Sequence, residues 1–76
     1  MQIMRNHVSP ENWMRQVFSA KAAQEGGVVR RKVADVHRIV GGLNFETEVR
    51  RRGFRAVQNG QDYVGFCNSE TLRLIE

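Results

Sequence analysis

Between residues 10 and 24, apolar side chains recur every three or four positions. Trp13, Val17 and Ala20 share one face, and Met14, Phe18 and Ala22 widen it. That period is helical. Ser9-Pro10-Glu11 supplies the start: Ser9 caps, Pro10 fits the first helical position, and Glu11 faces the positive end of the helix dipole. Val8 and Trp13 have the spacing of a hydrophobic staple. Gly26-Gly27 stops the helix. The reading is a first helix over residues 10–24, preceded by an arm at 1–8 that lacks a period, with Trp13 as a core residue.

Val28-Val29-Arg30-Arg31 follows the glycines, and its β-branched pair favours a short strand. From Val33 the period is helical again. Val33, Val36, Ile39 and Val40 form a stripe that Gly41-Gly42 ends, which predicts a second helix over residues 33–40. His37 falls on its opposite face. Asn44 is a plausible cap for a third helix, Phe45 to Arg52, with Phe45 and Val49 facing inward and Gly53 as its stop. Glu46, Glu48, Arg50, Arg51 and Arg52 must then mostly face water or a partner.

Phe54 to Gln58 and Tyr63 to Cys67 read as two strands about the turn signal Asn59-Gly60. A three-residue loop, Asn59 to Gln61, puts Phe54, Ala56, Val64 and Phe66 on one face. Gly65 marks a bulge or close packing. The segment Leu72-Arg73-Leu74-Ile75 alternates briefly. The predicted fold class is α+β: three helices with a C-terminal β-hairpin, in one small domain over residues 9–76.

Composition narrows the function. At 76 residues with 41% hydrophobic and 26% charged positions, the chain has room for one small core. It lacks the roughly 20-residue apolar run that a membrane span needs and a signal-peptide pattern, so the expectation is a cytoplasmic protein without a membrane role. Cys67 is the only cysteine and reads as a small buried hydrophobe in a strand, which suits a reducing compartment. Two histidines and one cysteine, widely separated, do not make a metal site. Gly26-Gly27 and Gly41-Gly42 lack the Lys-Ser/Thr of a phosphate loop, and no carboxylate pair has acid–base spacing. The expectation is therefore no enzyme, no metal and no cofactor.

The charge is uneven. Residues 30–55 hold eight cations against three anions, a net +5, while the rest of the chain holds four against five. Ten of the twelve cations are arginine, whose planar fork suits phosphate and base edges.

The element order, with Val33-Ala34-Asp35-Val36-His37-Arg38-Ile39-Val40-Gly41 as support helix and Phe45 to Arg52 after a tight turn, resembles a winged helix-turn-helix domain over residues 9–67. The hairpin around Asn59-Gly60 corresponds to the wing. The resemblance implies a recognition helix in the DNA major groove and a wing on the backbone or minor groove. By that carry-over Arg50, Arg51 and Arg55 are contact candidates, with Gln58, Asn59 and Gln61 on the wing. The charge cluster adds Arg30 and Arg31, one or the other of which is expected to share one exposed surface with Arg50, Arg51 and Arg55. Two departures stand out: His37 occupies a position where such motifs keep a small residue, and Glu46 and Glu48 lie near the end that approaches DNA. Two readings follow. One is a small regulatory nucleic-acid-binding protein, working as a homodimer on DNA. The other is a protein-interaction module or adaptor with a protein partner and no nucleic-acid or catalytic activity.

Overall fold

The computed structural model describes residues 9–76, so the arm at 1–8 and the Val8 half of the staple lie outside the described residues. The described residues form an α+β domain of four helices and a three-stranded antiparallel sheet: α1 (Pro10–Ser19), α2 (Lys21–Gln24), β1 (Val28–Lys32), α3 (Val33–Ile39), α4 (Gly42–Arg51), β2 (Arg55–Asn59) and β3 (Asp62–Phe66), with sheet order β1-β3-β2. The expected hairpin thus gains a third strand. β1 pairs along its whole length with β3, from Val28 opposite Phe66 to Lys32 opposite Asp62.

The first helix starts as its sequence dictates. Pro10 sits in the first turn, and the Ser9 hydroxyl accepts the Asn12 amide at 3.1 Å. It does not run to residue 24. Ala20 is extended (φ −59°, ψ 151°) and separates α1 from α2. The Gln24 side-chain amide donates to the Phe18 carbonyl at 3.1 Å, satisfying an acceptor that the break leaves without a helical partner. The restart turns Ala23 into the core and leaves Ala22 exposed, the reverse of the straight-helix expectation. Trp13 is half-buried against the core rather than inside it.

α3 follows β1 without a linker. Its Val33 amide donates to the Gln61 carbonyl at 2.9 Å, which ties the helix start to the β2–β3 turn. Val36 and Val40 are buried as the stripe requires. α4 begins at Gly42, earlier than expected, with Gly41 as its cap. Asn44 is therefore inside the first turn, and its amide donates to the Val40 carbonyl at 2.8 Å instead of capping. At the other end, Gly53 donates to the Arg50 carbonyl and Phe54 to the Val49 carbonyl, each at 3.0 Å. That hydrogen-bond pair is a Schellman stop, with Gly53 at φ +75°.

The hairpin register differs by one residue from expectation. Asn59 pairs with Asp62, so the turn is the two residues Gly60-Gln61, with Gly60 at φ +63° and Gln61 on the negative side. Glycine at the first central position is what the type II′ hairpin turn requires. A one-residue slip exchanges the faces of a strand. Arg55 and Val57 therefore stand opposite Phe66 and Val64, while Ala56 shares the other face with Gly65 and Val29. Phe54 precedes β2 and packs on Phe18, ring centres 5.8 Å apart. The slip turns Tyr63 inward to stack on Phe45 at 5.2 Å. Cys67 is buried, as expected, but lies just after β3 rather than in it; its amide donates to the Gly27 carbonyl at 2.8 Å, and burial pushes its thiol pKa up.

The core is Val17, Phe18, Ala23, Val29, Val36, Val40, Phe45, Val49 and Cys67. Phe45, Val17 and Val36 are its most enclosed large side chains. Phe54, Phe18, Phe45, Tyr63 and His37 form a continuous run of ring contacts from the residue before β2 through α1 and α4 to β3 and α3.

Candidate nucleic-acid interface

The turn from α3 to α4 is the first component. His37 is exposed yet not free: its Nε2 is 3.0 Å from the Tyr63 hydroxyl. A Cβ on Gly42 would come within 2.8 Å of that same nitrogen. The His37 imidazole is accommodated because residue 42 has no side chain.

α4 buries Phe45 and Val49 and turns Leu43, Glu46, Thr47 and Arg50 outward. Leu43, 76% exposed, lies on this outward row, ahead of the helix start at Phe45 that the sequence predicts. Beyond the row the helix has two sides. One forms a groove of about 390 Å³ with β2, where Glu46 and Arg50 face the strand across a floor of Phe45, Val49, Ala56 and Tyr63. The other forms a groove of about 600 Å³ with α1, lined by Met14, Thr47, Glu48, Arg51 and Arg52 among others.

The arginines divide between these places. Arg51 and Arg52 both donate to Glu48, at 2.6 Å to one oxygen, and Arg51 reaches the second oxygen at 3.1 Å. Arg52 also lies over the Phe18 ring, 4.7 Å from its centre. Glu48 and Arg52 therefore tie α4 to the core rather than face a partner, contrary to the expectation for this charge run. The Arg51 hydrogen bond, with help from Arg52, holds the Glu48 carboxyl below its ordinary value of 4.5 against the opposing effect of burial.

The sign of the resulting pH dependence is fixed. A depressed folded-state pKa means stability that is present above the ordinary value and is lost as pH falls through the lowered one. Glu48→Gln should destabilise the domain by about 0.5–1 kcal/mol at neutral pH. The difference from wild type should vanish in acid, and urea melts at the two pH values measure it.

On β1, Arg30 donates to Asp62 at 2.9 Å, and Lys32 approaches the same carboxylate at 3.9 Å. Arg31 donates to the Arg30 carbonyl at 2.6 Å. Arg50 and Arg55 both line the groove between α4 and β2, Arg51 lines the groove on the α1 side, and Arg30 belongs to the sheet face turned away from the helical core. Of the expected surface, the groove thus brings Arg50 and Arg55 together, while Arg51 and Arg30 lie elsewhere. Arg31, Arg50 and Arg55 have no ion-pair partner among the described residues. Asn59 is exposed at the end of β2, beside the turn, where Gln58 donates to the Gly60 carbonyl at 3.2 Å.

Among the described residues no group of three His, Cys, Asp or Glu is placed to hold a metal ion, and no helix is long and apolar enough to cross a membrane. The fold and these grooves define a small α+β domain in which one exposed helix and one hairpin flank a common groove. No protein-family model matches the chain, and neither a curated protein nor a solved structure is significantly similar to it.

Proposed function

We propose that this chain binds duplex DNA in the manner of a winged helix-turn-helix domain, with α4 as recognition helix and the β2–β3 turn as wing. The observation that carries the reading is the connectivity: two helices broken at Ala20, strand, helix, tight turn, helix and hairpin, closed into sheet order β1-β3-β2. That closure sets the hairpin beside α4 across one groove, so both elements are available to one ligand. Leu43, Thr47 and Arg50 form the outward row for the major groove, and Asn59 with the turn approaches the backbone. Arg50 is the cation of α4 free for a phosphate or a guanine edge, because Arg51 is held by Glu48. Arg31 and Arg55 supply unpaired charge on the sheet.

The test is a fluorescence titration against random-sequence duplex at two salt concentrations. Wild type should bind at low salt and weaken steeply as salt rises. Arg50→Ala should lose affinity and lower the salt slope by about one, the loss expected for one phosphate contact. Arg51→Ala should change affinity less. Both variants should keep the wild-type circular dichroism spectrum. A wild-type protein that ignores duplex at low salt would overturn the reading in favour of a protein-interaction module.

A further inference from the structure

β2 is an edge strand, and all five of its residues are exposed. Such an edge presents unpaired backbone donors and acceptors, the template on which another extended segment adds as a strand. Elsewhere in the same chain, residues 70–76 are exposed and outside any helix or strand. They contain the two most exposed large apolar side chains among the described residues, Leu74 at 90% and Ile75 at 85%.

We propose that the segment Leu72–Glu76 of one copy adds antiparallel to β2 of a second copy, and that two copies exchange these segments reciprocally. The register follows from chemistry on both faces. With Glu76 opposite Arg55, Leu74 falls opposite Val57 on the outward sheet face. Val57 is itself 42% exposed, and Arg55 has no ion-pair partner among the described residues. On the inward face, Ile75 falls opposite Ala56 over the floor of Phe45 and Tyr63, and Arg73 falls opposite Gln58. The Gln58 end of the groove is the Glu46 end, since Gln58 pairs with Tyr63 and Tyr63 stacks on Phe45. Arg73 therefore meets Glu46 as Glu76 meets Arg55, and the apolar positions meet apolar positions between them.

The chain's own tail does not reach this register. Its root is pinned beside β1, where Cys67 donates to Gly27 at 2.8 Å and Asn68 to Gly26 at 2.9 Å. From that end of the sheet, Leu72 would have to lie beyond β2 at the level of Asn59. Asn68 lies at the level of Gly26, so that point is two strand spacings across and six residues along, about 22 Å away. The four residues from Asn68 to Leu72 span at most about 14 Å when fully extended. A second copy has no such limit.

Sedimentation velocity of the full chain, without nucleic acid, is the test, so its outcome is separate from that of the duplex titration. Wild type should sediment as a dimer. Leu74→Asp combined with Ile75→Asp should sediment as a monomer with an unchanged circular dichroism spectrum, because both side chains are exposed in the single copy. Arg55→Glu should weaken the dimer, and adding Glu76→Arg should restore it. A monomeric wild type, a dimer that survives the tail substitutions, or a charge swap that fails to restore association would each overturn the proposal.

Discussion

Phe45→Ala should leave the domain barely folded or unfolded. Phe45 is 2% exposed and stacks between Phe18, at 6.2 Å, and Tyr63, at 5.2 Å. It joins three elements: α1, its own helix α4, and β3. Truncating a buried phenylalanine costs about 3–5 kcal/mol, through lost transfer energy and the cavity left behind. A domain of this size has roughly 4–11 kcal/mol in all. The two ring contacts add to the loss, about 0.5–1.5 kcal/mol for each pair. Urea denaturation followed by near-ultraviolet circular dichroism should show the midpoint collapse, with the tertiary signal weakened even without denaturant. A near-wild-type midpoint would mean that α4 is not docked through Phe45, and the groove between α4 and β2 would then lack its floor.

Gly65→Val should be the other severe substitution, for the opposite reason. Gly65 is buried at the centre of the sheet, paired with Val29 on one side and Ala56 on the other. A Cβ there would lie 3.1 Å from the Val29 Cγ2 atom. Val29 is itself in the core and backed by it, so it cannot swing aside as a surface side chain would. Overpacking of this kind typically costs about 1–3 kcal/mol. On β-propensity alone the substitution should stabilise the strand, since valine favours strands and glycine disfavours them. Thermal melting therefore discriminates: a lowered Tm follows from close packing, whereas a raised Tm would follow if local propensity decided.

The two substitutions mark different depths of legibility. The spacing of Phe45 with Val49 predicts an inward side chain, and the structure places both in the core. Gly65 was readable only as a bulge or a close approach; choosing between them requires knowing that β1 lies beside β3. The same holds for the candidate interface. That α4 would be an exposed helix carrying arginines was visible in the residues. Which arginines stay unpaired was not, because Arg30 is occupied by Asp62, thirty-two positions away. Glu48 looked like one more outward charge, yet its side chain is only 18% exposed and takes up both Arg51 and Arg52.

Local chemistry by itself determined the element order. Ser9-Pro10 started a helix, the apolar stripe of α3 set its buried face, and the glycines closed helices where left-handed backbone was needed. These are interactions among residues a few positions apart, and the residues themselves carry them. Only the tertiary structure decided the break at Ala20, the place of β1 in the sheet and the register of the hairpin. At Ala20, the continuous helical spacing gives way to an extended residue, and the restart buries Ala23. In the hairpin, Asn59-Gly60 permits loops of either length. The two-residue turn was selected because it sends Tyr63 inward onto Phe45 and leaves Gly65 under Val29. Those contacts join residues far apart in the chain, and their energies exceed the few tenths of a kcal/mol by which local preferences differ.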